Sequence, residues 1–320
     1  MFIEYVKKFQ NKNYMESNYP VAGFPMKYRW QEGDWEKLFD EQIKLIKEDI
    51  YRARVQGRMV IYLSCPISSR GGGYSGTNVE ITEFTRMRLL KEWGTGFWIL
   101  NPASYQMESK AGTGLMHRHA LKLWPKNGAK RLSDLVEKSP AADGDYMRMW
   151  TKVLVEDNEA GPRKNLGYNF DGFYFLGPTD VKSYFLNSDD GDLTSSIDNY
   201  FARMYSIDAD FRDYYTVKGI DWGAYSKKNP RPESENLLLL EWEKRRKDFF
   251  RFYALKAGMN YSLGGHDEWN IWVLLNQLRV KKLEIRDAIG ELIPGYFEGN
   301  QITPGDFTVK TITGYEVKTK

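Results

Sequence analysis

A chain of 320 residues with 42% hydrophobic and 28% charged residues can bury a large core, which excludes a mainly disordered or fibrous protein. Its 46 Lys+Arg against 43 Asp+Glu leave a net charge of +3, too little to favour nucleic acid or a membrane surface, so a small molecule is the expected partner. The single cysteine, Cys65, excludes an internal disulfide and the secreted frameworks built on them. A cytoplasmic location is expected. The opening MFIEYVKKFQ carries its lysines too late for a signal peptide, and no apolar run approaches the ~20 residues of a membrane helix.

Residues 1–33 mix Tyr, Asn, Pro and Lys without a period and are expected to form an irregular arm. A helix is predicted over 34–56, where Leu38, Ile43, Leu45, Ile46 and Ile50 keep an apolar stripe and Gly57 supplies the stop. Arg58 to Ser64 is the sharpest strand signal, ended by Cys65-Pro66 and followed by a glycine-rich loop, Ser68 to Gly76. Thr77-Asn78-Val79-Glu80 has the form of a capping box, and the helix it opens turns Ile81, Phe84, Met87 and Leu90 inward until Gly94. Gly96 to Leu100 is the second strand, broken by Asn101-Pro102. The polar stretch 103–142 is long for a connection and is expected to be a lid or an excursion beside the site. Asp143-Gly144-Asp145 precedes a helix with Met147, Trp150, Val153 and Leu154 on one face, and a third strand runs from Phe170 to Leu176.

Residues 186–235 are loop-rich with a helix from Thr194 through Met204, and a long helix is predicted from Asn236 to Ala257. Met259 to Leu263 suits a short fourth strand, and Gly264-Gly265-His266-Asp267 leads into a further helix. Residues 281–293 are expected to be helical, with a hairpin formed by Thr308–Ile312 and Tyr315–Thr319. Short β runs alternating with amphipathic helices predict the α/β class: a parallel sheet with helices on both faces, right-handed crossovers and a ligand crevice at the carboxyl ends of the strands. The expected organisation is an arm and helix at 1–57, an α/β domain at 58–280 with a largely helical insertion at 182–258, and a helix and hairpin tail at 281–320.

Aromatic residues reach 15%, which suits both a heavy core and flat walls for a ring-shaped ligand. In the loop Ser68 to Gly76, four glycines with Arg70 let backbone amides approach an anion closely, and the next helix points its positive end there. A phosphate or ribose suits it, but it matches neither GxxxxGK[ST] nor GxGxxG. After Gly264-Gly265, a carboxylate from Asp267 or Glu268 in the first helical turn would be held ionised by the helix dipole, as a nucleophile should be; the plainer reading is a helix cap. Asp143 and Asp145 offer the second carboxyl that glycosidic cleavage needs, and capping is again the plainer reading. His117 and His119 would share one side of a strand without partners at metal spacing, so no metal is expected, and no cofactor. Cys65 at a strand end reads as structural. Tyr74, Trp98, Trp150, Trp269 and Trp272 are the rings that would wall a base, though their periodicity assigns most to the core.

The order of Tyr62-Leu63-Ser64-Cys65-Pro66-Ile67-Ser68-Ser69-Arg70-Gly71-Gly72, Ile99-Leu100-Asn101-Pro102-Ala103, an Asp-containing helix start, the Phe170–Leu176 strand and Gly264-x-x-x-Glu268 resembles the nucleoside 2-deoxyribosyltransferase-like family, which includes nucleotide N-glycosidases and shares a fold related to TIR domains. The resemblance covers roughly residues 58–104, 143–178 and 259–278 by pattern rather than identity. It implies a flavodoxin-like sheet and cleavage of the bond between a nucleobase and C1′ of a (deoxy)ribose. Glu268 maps to the nucleophile, Ser68, Arg70, Gly71 and Gly72 to the loop contacting sugar or 5′-phosphate, and Asp145 or Asp143 to the assisting aspartate. Tyr74 and Asn101 complete the expected substrate-binding set. The segment Lys182 to Gly258 and Ser262, at a place often acidic, depart from the family pattern. The implied partner is a nucleoside or nucleotide, with a homo-oligomer expected by analogy. Two rival expectations are a TIR-like NAD glycohydrolase and a non-catalytic nucleotide sensor.

Overall fold

The computed structural model describes residues 18–68, 72–187, 191–216, 233–259, 262–284, 289–302 and 314–317. Strand β1 (Met59–Ser64) is an apolar run because both its faces are covered: Val60 and Tyr62 enter one core, Ile61 and Leu63 the other. Strands β2 (Phe97–Leu100) and β3 (Gly172–Phe175) flank it in parallel, with Tyr62 opposite Leu100 and Phe173. β4 (Gly295–Phe297) pairs in parallel with β3, and β5 (Asn300–Ile302) pairs antiparallel with β4. The order β2-β1-β3-β4-β5 is that of a flavodoxin-like α/β sheet, whose strand order reverses between β1 and β3.

The first face is covered by α1 (Asp34–Val55), α5 (Asp143–Val155) and α10 (Leu263–Leu283), through residues such as Leu38, Ile46, Trp150, Leu154 and Trp272. The described part of the arm is irregular, as expected, yet Phe24, Met26, Tyr28 and Trp30 are buried in this same core. α2 (Ser75–Trp93) covers the opposite face with α6 (Pro178–Asn187), α7 (Leu193–Ile207), α8 (Ala209–Tyr215) and α9 (Glu233–Arg251). The helical segment expected as an insertion therefore supplies core: Phe185, Phe201, Phe211 and Phe249 are fully or nearly fully buried. α9 opens into a wider π-type turn at Phe252–Lys256, which buries Phe252 and Tyr253.

Several local expectations are corrected. Residues 103–142 form two helices, α3 (Lys110–Leu123) and α4 (Gly128–Lys138), so His117 and His119 are helical; His119 Nε2 meets Gln42 Oε1 at 2.6 Å. Thr77-Asn78-Val79-Glu80 is not a capping box. α2 starts at Ser75, and the Tyr200 hydroxyl donates to Thr77 Oγ1 and to the Glu80 carboxylate, because α7 packs over this turn. Met259 to Leu263 is no strand in its described part: Ser262 caps α10 by accepting the Gly265 N–H, and Leu263 is already helical. The fourth strand lies instead at Gly295–Phe297, and the hairpin beyond it turns at Glu298-Gly299, where φ is 52° and 83°, the mirror-image turn that matches strand twist. α10 ends at Leu283, and Ile289–Glu291 form one 3₁₀ turn. Most of the tail hairpin expected at 308–319 lies outside the described residues.

Candidate functional site

Strand β1 ends at the crevice where the sheet order reverses, the place where open α/β sheets bind ligands. Tyr62 and Ser64, two residues apart, present their side chains to the same face of the sheet. α10 crosses that face, and the sixth residue of the helix is Glu268. Its Oε1 accepts from the Tyr62 hydroxyl at 2.7 Å and its Oε2 from the Ser64 hydroxyl at 2.5 Å. The residue is 5% exposed. Burial pushes the Glu268 carboxyl up to about 7; the Ser64 and Tyr62 hydroxyls pull it back, and the neighbouring Asp267 charge adds to the rise. Sequence expectation held this carboxylate in the first turn, ionised by the helix dipole. It stands a turn further in, where desolvation outweighs the dipole and its hydrogen bonds come from the strand.

Glu268 lines a small, open-mouthed cleft with an internal volume of about 70 Å³. Trp150, Tyr146, Met147 and Tyr315 contribute apolar wall; Ser68, Gln106, Ser262 and the backbone of Gly264 and Gly265 contribute polar groups. Two further carboxylates belong to it, Glu108 and Asp143. Asp143 is half-buried at the first position of α5. Glu108 is exposed at the mouth, yet crowding of its carboxyl by the wall pushes its pKa up; the Asp143 charge adds to this and the Tyr146 hydroxyl opposes it. Among the described lining residues there is no Lys, Arg or His. The indole Nε1 of Trp150 is buried with no hydrogen-bond partner among the described residues.

Of the expected site residues, Glu268, Asp143 and Ser68 are brought together here. Asp145 is not: its carboxylate is 1% exposed and accepts from Gln31 N–H at 2.6 Å, Gln31 Nε2 at 3.0 Å and Ala142 N–H at 2.7 Å, so it ties the arm to the start of α5. Two residues along a helix turn a side chain to a different face, which is why Asp143 and Asp145 part company. Gly72 lines a separate cavity with Tyr214, Tyr215, Arg245 and Asp248; its φ is 102°, and a Cβ there would strike the Asp248 carbonyl. Tyr74 precedes α2 and packs on Phe211, with its backbone N–H donating to the Tyr253 hydroxyl. Asn101 caps a short 3₁₀ turn by accepting the Ala103 N–H and donates to Glu83. None of these three lines the Glu268 cleft. Arg70 and Gly71 lie outside the described residues.

Sequence reasoning missed Glu108. Its one local signal was position: it follows β2 by eight residues, just before Ser109, whose hydroxyl caps α3 by accepting the Gly112 N–H, and so it sits at the carboxyl edge of the sheet. Cys65 also lines the cleft, and burial pushes its thiol far up, away from nucleophilic character. Among the described residues, no group of three His, Cys, Asp or Glu side chains is placed to hold a metal ion, and no helix is long and apolar enough to cross a membrane.

A buried, doubly hydrogen-bonded carboxylate facing two more acids across an aromatic-walled cleft can stabilise positive charge developing on a bound ring and can exchange protons near neutral pH. No protein-family model, curated protein or solved structure matches the chain.

Proposed function

We propose that the cleft cleaves the N-glycosidic bond of a nucleoside or nucleoside 5′-monophosphate, with Glu268 as nucleophile. The observation that carries this reading is the Glu268 carboxylate at the end of β1, buried in the cleft and aimed by two hydroxyl donors. An oxocarbenium-like transition state is cationic, and in a cleft of low dielectric the Glu268 and Asp143 carboxylates stabilise it far more than water does. Glu268 oxygen bonds to C1′ as the C1′–N bond breaks, and the bonding pair leaves with the base nitrogen. Glu108, whose pKa is raised, protonates that nitrogen. Water then attacks C1′, Glu108 takes its proton, and the Glu268–C1′ bond breaks to release the sugar; a second base in place of water makes the reaction a transfer. The arrangement of Trp150 and Tyr146 supports stacking of the base.

The test is incubation of the full chain with pooled nucleosides, nucleoside monophosphates and NAD, reading free bases by chromatography. Base release that falls on the order of 10³-fold or more in Glu268→Gln supports the reading. Equal turnover by that variant overturns it, and tight binding of intact nucleotide with no base released would assign a sensor instead. The monophosphate arm reads whether a 5′-phosphate on the substrate speeds base release.

A further inference from the structure

Asp267 precedes Glu268 but does not line the cleft; its fully buried carboxylate accepts the Tyr315 N–H at 2.7 Å and the Glu316 N–H at 3.4 Å. A Cβ on Gly314 would collide with the same carboxylate, so the backbone of this segment lies directly against it. Two residues on, the Val317 N–H donates to the Lys27 carbonyl at 2.9 Å. Residues 314–317 are thus a strap tied to α10 at one end and to the arm at the other. Tyr315, whose N–H makes the first of these ties, lines the Glu268 cleft, and its ring carbon Cε2 comes 3.9 Å from where a Cβ on Gly264 would stand.

We propose that Tyr315 is a substrate-contacting wall of the cleft and that Asp267 is the positioning residue holding it there. The identity of the substrate rests on the glycosidase reading, whereas the placement of the wall does not. A carboxylate accepting two consecutive backbone amides fixes both the register and the direction of the strap, which a single bond would not. Placing that acceptor next to Glu268 in sequence couples the wall to the helix that carries the nucleophile.

Cys65, the single cysteine, is buried in the same cleft and so provides a built-in reporter of whether the wall is closed. Native alkylation by iodoacetamide, followed by intact mass, is expected to run about tenfold faster or more in Tyr315→Ala and in Asp267→Asn, and at the parental rate in Tyr315→Phe. For base release, Tyr315→Ala and Asp267→Asn should raise KM about tenfold while kcat changes much less. Should Asp267→Asn fail to fold, Gly314→Val applies the same displacement from the strap side. Alkylation at the parental rate in Tyr315→Ala and Gly314→Val, with melting unchanged, overturns the proposal, as does an unchanged KM in Tyr315→Ala. If the parent releases no base from any substrate, the glycosidase reading fails, and Cys65 protection alone then decides the placement of the wall.

Discussion

The Tyr62 hydroxyl donates to Glu268 Oε1 at 2.7 Å across 206 residues of chain, joining strand β1 to helix α10. The strand supplies orientation and the helix supplies the acid. With Ser64 donating to the second oxygen, both lone-pair directions that face the sheet are occupied, leaving the remaining ones for a ligand. The same burial that aims the carboxylate raises its pKa, and it therefore links function to the pH dependence of folding.

Glu268 and Asp267 both hold protons more tightly folded than unfolded, each rising to about 7. Their favourable contribution is therefore complete below about pH 4 and is lost as pH rises to about 7, where ionisation must occur inside the fold. Glu268→Gln removes that penalty at one position. The variant should be more stable than the parent at about pH 8 by on the order of 3 kcal/mol and equal to it near about pH 4. Thermal melts of both proteins at the two pH values check this, and equal melting at the higher one would contradict it.

In the proposed reaction Glu108, whose pKa is raised, protonates the leaving base. Glu108→Gln should lower kcat about 10²-fold or more and flatten the alkaline limb of its pH profile, because the group whose deprotonation ends activity is gone. A substrate whose leaving group needs no proton should recover most of the loss. Such rescue, read as the ratio of kcat values for the two substrates, separates proton donation from simple charge.

Gly264 occupies the first turn of α10 with ordinary contact distances around an added Cβ: 3.8 Å to Met147 Sδ and 3.9 Å to Ser262 Oγ. Gly264→Ala should therefore fold normally and gain about 0.5–1 kcal/mol from helix propensity. Gly264→Leu projects into the cleft and should raise KM by about tenfold or more without a matching fall in melting temperature. Urea denaturation and initial-rate kinetics on the pair provide both readings.

Asp145 holds Gln31 and the start of α5 together. Asp145→Ala should cost about 2–4 kcal/mol by leaving buried amides unpaired, measured as a shift of the urea midpoint at constant m. An unshifted midpoint would show that the arm is anchored elsewhere, for instance through Gln31 Nε2 donating to the Pro140 carbonyl at 3.0 Å.

Much of the sheet was legible because a strand buried on both faces and a helix buried on one leave periodic signatures within a short window. β1, β2 and β3, α1, and the helix starting at Asp143 fall where apolar spacing puts them. β4 was not legible: three residues carry no period, and pairing with β3 is what makes Gly295–Phe297 a strand. The two helices in 103–142 were hidden by polar composition, since each is buried along a narrow stripe only, Met116 and Ala120 on one and Leu132 on the other.

By itself the sequence determined the α/β class, because strand periods and proline-marked strand ends are local features; at the glycine-rich helix start it offered Asp267 or Glu268 without choosing between them, and only the resemblance pointed to Glu268. Tertiary structure alone decided which acids share the cleft with it, admitting Glu108 and Asp143, turning Asp145 toward the arm, and sending Gly72, Tyr74 and Asn101 to other contacts. The physical reason is that a side chain's role follows from its desolvation and its hydrogen-bond partners. For Glu268 those partners are Tyr62 and Ser64, about two hundred residues away in the chain and adjacent only once the sheet and α10 have packed.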